Sequence, residues 1–239
     1  MFPVKDENPT ESTPFLTVSL IAVNLGIFLF VFFSGSYNTI VYEYGMKPAE
    51  ILTGEELHTI ITSMFLHGGF LHVIGNVWFL WIFGDNIEDY LGRKKFLLIY
   101  FSTGIFASLA HAFLNPNSTT PTIGASGAIA GILGAYLVEY PRAKVYTVIF
   151  FFLITVIRIP AFAFLGIWIG IQVLSASYTT IAGAEVTTAY WAHIGGFIAG
   201  AALMYIWSNL KVKSESRKLK SRGFSIKIRK RINEFKQNF

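Results

Sequence analysis

The stretch Gly124-Ala125-Ser126-Gly127-Ala128-Ile129-Ala130-Gly131-Ile132-Leu133-Gly134-Ala135-Tyr136-Leu137-Val138-Glu139-Tyr140-Pro141 decides the fold. From Ser126 it reads as an apolar helix, and Pro141 stops it. The chain around it has 239 residues, 53% hydrophobic and 14% charged, with no cysteine. Its mean hydropathy is +0.53. Soluble domains carry about a quarter charged residues. The composition therefore excludes disorder, a disulfide scaffold, a zinc finger and a thiol enzyme, and implies a polytopic membrane protein. Ser126 to Glu139 is then anomalous as a span. Its 14 residues rise roughly 21 Å, against a hydrocarbon core of about 30 Å. With its end pinned at the cytoplasmic surface by Glu139, Pro141 and Arg142, its start lies roughly 9 Å below the outer surface. A loop at that depth must be buried in protein or line a water cavity.

Working outward, Phe15–Phe33 is an uncharged first span and Ser34–Leu57 an extended loop. A second span runs from about Gly69 to Phe83 and a third from Phe96 to Leu114. Beyond the short fourth span, Val145–Arg158 is interrupted by Arg158 and Pro160 and reads as an interfacial or dipping segment. Ala161–Ser175 is a fifth span and Val186–Trp207 a sixth. The expected fold is all-α: a six-transmembrane-helix bundle with a short central fourth helix. The expected organisation is a mobile N-terminal arm over residues 1–13, a six-span domain over 14–208 and a basic tail over 209–239.

Charge sets the orientation. The tail holds eleven Lys/Arg and two Glu, whereas the first 208 residues hold eight basic and twelve acidic residues. Arg93-Lys94-Lys95, Arg142 with Lys144, and the tail all fall on one side of a six-span layout. The positive-inside rule makes that side cytoplasmic, with both termini there. Phe224, Ile228, Ile232, Phe235 and Phe239 form a helical stripe on the basic tail. Such a stripe suits the anionic cytoplasmic leaflet rather than nucleic acid.

Three polar residues converge on one depth. His193 lies seven residues into the sixth span and Asn76 seven residues into the second, each about 10 Å below the outer surface. Ser126 starts the fourth span near the same level, and His72 stands one turn above Asn76. A serine hydroxyl becomes a nucleophile when a base within hydrogen-bond reach takes its proton, and His193 is that candidate base. An oxyanion needs donors, and the Ser126 N–H, the Asn76 amide and a His72 ring N–H can supply them. Gly124 opens the stretch, Gly127 and Gly131 form one small-residue pair, and Gly196 and Gly200 form another. This spacing lets membrane helices approach closely, and these five are expected as packing glycines. Asp85, Glu88, Asp89 and Glu139 sit at the cytoplasmic end and Glu185 is too shallow. A Ser–His dyad is expected rather than a triad, with no metal or cofactor.

At these residues the chain resembles the rhomboid family of intramembrane serine proteases. The matching pieces are His72-Val73-Ile74-Gly75-Asn76, Gly124-Ala125-Ser126-Gly127 and Ala192-His193-Ile194-Gly195-Gly196-Phe197-Ile198-Ala199-Gly200, in the family's order. The resemblance covers about Pro14 to Trp207. It implies cleavage of transmembrane substrate proteins near the outer face, with Ser126 as nucleophile, His193 as general base, and His72, Asn76 and the Ser126 amide as oxyanion hole. It also implies sideways substrate entry past the fifth span. Two positions depart from the pattern. Some members carry an aromatic four residues after the serine to stack on the histidine, where this chain has Ala130. Some carry a Trp-Arg pair in the first outer loop, where this chain has His58-Thr59.

Other readings fit less well. A non-catalytic rhomboid-like scaffold or chaperone that binds transmembrane helices would generally lack the Ser or the His. A transporter would show paired inverted breaks. A metalloprotease needs His-Glu-x-x-His, which is absent. The expected partners are transmembrane substrates and membrane lipids, at a cell membrane.

Overall fold

The computed structural model describes residues 2–150, 154–182 and 188–221. In chain order it runs through strand β1 (Phe2–Asp6), helix α1 (Phe15–Phe33), short helices α2 (Tyr37–Tyr44), α3 (Pro48–Thr53) and α4 (Thr59–Thr62), and then α5 (Phe70–Leu91) and α6 (Arg93–Leu114). Next come α7 (Ser126–Glu139), strands β2 (Lys144–Phe150) and β3 (Ile154–Pro160), α8 (Ala161–Ala182) and α9 (Tyr190–Ser221). The result is a mostly helical, polytopic membrane bundle. Among the described residues, α1, α5, α6 and α8 are long and apolar enough to cross a membrane, and α7 is a shorter apolar helix.

Helix α7 is the centre of the bundle. Residues Gly127 to Tyr136 are all buried in it. It packs beside Phe83, Tyr100 and Leu165, each fully buried. Its glycines are points of backbone contact. A Cβ added at Gly196 would lie 2.0 Å from the Gly127 carbonyl oxygen, and one at Gly200 would lie 1.9 Å from that of Gly131. The same residues receive α6: a Cβ at Gly127 would meet Ala107, and one at Gly131 would meet Thr103. Thr103 Oγ1 donates to the Ala128 carbonyl across that contact at 3.3 Å. Four of the five expected packing glycines therefore pack helices. Gly124 does not: it lies in the loop before α7, at φ +127°.

The acidic cluster at the far end of the bundle is a set of ties. Glu88, only 2% exposed, accepts from Leu16 N at 2.9 Å and Thr17 N at 2.8 Å, capping the first turn of α1. Asp89 accepts from Glu11 N and Ser12 N at 3.0 Å each. Glu139 accepts from Ser208 Oγ at 2.9 Å, joining α7 to α9.

Several segments differ from expectation, and the first is the expected Ser34–Leu57 loop, which holds α2 and α3. Val145–Arg158, read as an interfacial or dipping segment, lies within an antiparallel strand pair, with Val145 opposite Ile159 and Val148 opposite Val156. Its run of β-branched residues favours a pleated chain over a helix. The N-terminal arm holds a strand: β1 adds to β2 antiparallel, completing a sheet of order β1-β2-β3. Trp78 Nε1 holds it further, donating to the Pro3 carbonyl at 2.7 Å. Helix α9 runs on to Ser221, so the first part of the basic tail is helical. The apolar stripe from Phe224 to Phe239 lies outside the described residues, as do Glu185 and Val186.

The arm is also anchored through Asp6, which accepts a hydrogen bond from the Tyr136 hydroxyl, while Asn8 Nδ2 donates to that hydroxyl at 2.8 Å. Burial lifts the Asp6 carboxyl from 3.8 to about 6, with the Tyr136 hydrogen bond opposing and Asp85 adding to the rise. Folding thus favours the protonated acid, so this stability is full below about pH 3.8 and is lost as pH rises through about 6. Asp6→Asn should be more thermostable than wild type at pH 7, with the difference shrinking by pH 5. Thermal unfolding in detergent at the two pH values checks this; a constant gap refutes it.

Candidate active site

The loop into α7 brings Ser126 to the helix start with no side chain capping it. The first-turn N–H groups therefore point out unpaired, and the helix dipole places partial positive charge there. Three residues before Gly196, and so beside the closest approach of α7 and α9, stands His193. Its Nε2 lies 2.8 Å from Ser126 Oγ. The ring's other nitrogen, Nδ1, lies 2.8 Å from Gln172 Oε1 on α8. The Trp168 indole packs against the same ring, with centroids 6.0 Å apart and planes 31° apart.

Helix α5 contributes the other two residues. Gly68 N–H donates to His72 Nδ1 at 3.2 Å. A neutral imidazole accepting at Nδ1 carries its proton on Nε2, so His72 offers an Nε2–H donor. That atom faces Gly124: a Cβ there would lie 2.7 Å from His72 Nε2 and 3.6 Å from Ser126 Oγ. Asn76 is buried at 7% exposure, and its Nδ2 has no hydrogen-bond partner. Buried amide nitrogens normally find one, so this donor is left for whatever enters the site. His67 packs edge-on against His72, with ring centroids 5.1 Å apart.

All four residues open onto one cavity of about 580 Å³, which Trp168 and Phe79 also line. The structure thus brings together every expected site residue: Ser126, His193, His72 and Asn76. His58 and His111 lie outside the cavity lining. Among the described residues no group of His, Cys, Asp and Glu is arranged to hold a metal ion. Gln172 and Trp168 were not anticipated. The signal available for them is their spacing of four residues, which puts both on one face of α8.

A membrane-embedded helical bundle with a serine, two histidines and an asparagine around one internal cavity defines the class of protein. The rhomboid-domain family model matches residues 54–210. The chain belongs to the rhomboid family, whose members are generally intramembrane serine proteases. It is 37% identical over 126 residues to rhomboid protease GluP of Bacillus subtilis, covering 52% of this chain and 24% of that protein. It is 29% identical over 172 residues to rhomboid protein 1, mitochondrial, of Saccharomyces cerevisiae, covering 69% of this chain and 46% of the relative. A third relative, RHOMBOID-like protein 9, chloroplastic, of Arabidopsis thaliana, is 31% identical over 147 residues, with 58% and 33% covered. The matches thus span less than half the length of these three curated relatives.

Gly124 meets two demands at once, a positive φ and the absence of a Cβ beside His72. Gly124→Ala should therefore displace His72 and the turn into Ser126 together. We expect labelling of Ser126 by a fluorophosphonate probe to fall at least tenfold while the bundle stays folded by circular dichroism. Unchanged labelling would show that the turn tolerates a side chain.

Proposed function

We propose that this chain is an intramembrane serine endopeptidase that cleaves transmembrane proteins near the outer membrane face with a Ser126–His193 dyad. The observation that carries the reading is the 2.8 Å approach of Ser126 Oγ to His193 Nε2 inside a cavity that also holds the unpartnered Asn76 amide. Ser126 Oγ attacks the scissile carbonyl carbon and passes its proton to His193 Nε2. The carbonyl oxygen becomes an oxyanion and takes hydrogen bonds from the Ser126 N–H, Asn76 Nδ2–H and His72 Nε2–H. The imidazolium then protonates the leaving amine. Water, activated by the same base, hydrolyses the Ser126 ester and frees the second fragment. No metal or cofactor enters this scheme.

A helical peptide bond is shielded by its own hydrogen bonds, so a substrate must unwind locally to reach Ser126. Small residues near the cut meet that need. The short α7 supports a site below the outer surface, because its end is tied by Glu139 to Ser208 at the opposite face. The test is cleavage of a single-span substrate with small residues near its outer end, in liposomes. Wild type should cut. Ser126→Ala and His193→Ala should be folded and slower by at least about 10³-fold, and Asn76→Ala slower by roughly 10²-fold. A chain that cuts nothing and whose Ser126 resists the fluorophosphonate would be a helix-binding scaffold instead.

The same reading places six spans in a cell membrane with both termini cytoplasmic, the basic tail facing the anionic leaflet. The absence of cysteine makes this directly testable. In intact cells an impermeant maleimide should label Thr119→Cys and spare Glu11→Cys and Ser216→Cys until lysis. Labelling of either terminus before lysis would reverse the topology.

A further inference from the structure

Gln172 is a buried neutral amide, 9% exposed, on a helix whose other buried residues, Ala161, Phe164, Leu165 and Ala176, are all apolar. Phe162, Ile167, Ile171, Leu174 and Tyr178 of α8 are exposed, and a Cβ added at Gly166 or Gly170 would meet nothing within 4 Å. A polar side chain has little reason to sit on such a helix unless something inside requires it. Here the contact is His193 Nδ1, at 2.8 Å.

The chemistry of that contact is one-sided. A side-chain amide oxygen only accepts. Facing Nδ1, it requires a proton there, and in the neutral ring Nε2 is then left with its lone pair. That lone pair is the group facing Ser126 Oγ. The opposite tautomer would present an N–H to the serine and could take no proton from it. After proton transfer the imidazolium keeps its Nδ1–H···O bond, so the contact persists through the reaction. Trp168, one turn earlier on α8, packs on the same ring at 6.0 Å between centroids, within the range of offset aromatic contacts. The ring is thus contacted at Nδ1 and packed by an indole from one helix.

We propose that Gln172 is a positioning residue for His193: its oxygen selects the tautomer with Nδ1 protonated and Nε2 basic toward Ser126, while Trp168 fixes the plane of the ring. This assignment rests on the protease reading. It adds a neutral third member from α8 to a pair supplied by α7 and α9. A neutral partner orients the base without adding a charge to stabilise the imidazolium, unlike a carboxylate in the same place. It also makes the competence of the base depend on α8 standing against α9.

The test compares wild type, Gln172→Met, which keeps the length of the side chain and removes the acceptor, and Gln172→Glu, which keeps an acceptor oxygen at the same reach. Four quantities are read: kcat, KM, the rate at which the fluorophosphonate labels Ser126, and the melting temperature. Nitrogen-15 spectra of labelled histidine add the tautomer of His193. Gln172→Met should lose at least tenfold in kcat and in labelling rate, with KM within about twofold of wild type and a mixed His193 tautomer. Gln172→Glu should recover most of the labelling rate and move the acid limb of the kcat/KM profile to higher pH, because a carboxylate beside the ring favours the imidazolium. A role confined to packing would lower the melting temperature and leave the pH profile and the tautomer unmoved.

Wild-type His193 with its proton on Nε2 overturns the assignment without any variant. So do Gln172→Met with wild-type kcat and labelling, and Gln172→Glu with an unmoved acid limb. Should Gln172→Met fail to fold, the wild-type spectrum and Gln172→Glu still decide. A wild type that neither cuts nor labels overturns the protease reading, and this assignment with it. An active wild type with indifferent Gln172 variants overturns this assignment alone.

Discussion

Everything at the site depends on how closely the backbones of α7 and α9 approach. Gly196 rests on the Gly127 carbonyl and Gly200 on that of Gly131, so any side chain at those positions would overlap backbone. In lipid no hydrophobic effect drives helices together, and small residues that admit dense packing take over that role. The Ser126–His193 pair inherits its separation from this contact. Ser126 immediately precedes Gly127, and His193 stands three residues before Gly196. The Oγ–Nε2 distance of 2.8 Å is therefore set by glycines that have no polar side chain of their own.

The second constraint is the length of α7. A helix shorter than the bilayer must leave a deficit at one end or share it between both. Here one end is fastened: Tyr136 holds Asp6, Glu139 holds Ser208, and the sheet of β1, β2 and β3 sits just beyond Pro141. The deficit is left at the Ser126 end, where α5 and α6 and the loop before α7 surround the gap. That gap is lined by the polar His72, Asn76 and Ser126 and by the apolar Phe79 and Leu133. Polar groups around a roomy cavity are what allow water to stay at such a depth.

Much of this was legible from residues alone, and for a physical reason. Against an apolar background a histidine or asparagine is costly, so His72, Asn76 and His193 stood out as candidates. The bounds of α7 followed from Gly124 and Pro141, and the structure has the same first and last residues, Ser126 and Glu139. Gln172 was missed because a single neutral amide in a span reads as one more packing residue. Its meaning appears only when Trp168, one turn away, is seen to share its face. The sheet was missed because Lys144–Pro160 is apolar enough for either a strand or a membrane segment. The strand that completes it, Phe2–Asp6, pairs with residues near 145, a relation that local periodicity does not carry. In the sequence Gly124 reads as a packing glycine through its company with Gly127; the positive φ that explains it is a property of the turn.

Ala130 shows why α8 has to take part. It is 1% exposed and enclosed by the core. A ring placed at that position would need space that α7 does not have in this packing. An imidazole with free space beside it would rotate, and its Nε2 would leave the serine. The aromatic contact and the polar contact come instead from Trp168 and Gln172, on the least enclosed of the helices around the cavity. A base held from α7 would be permanently ready. One held from α8 is ready only while α8 is in place. The residues that contact His193 and a largely exposed apolar surface thus belong to one element.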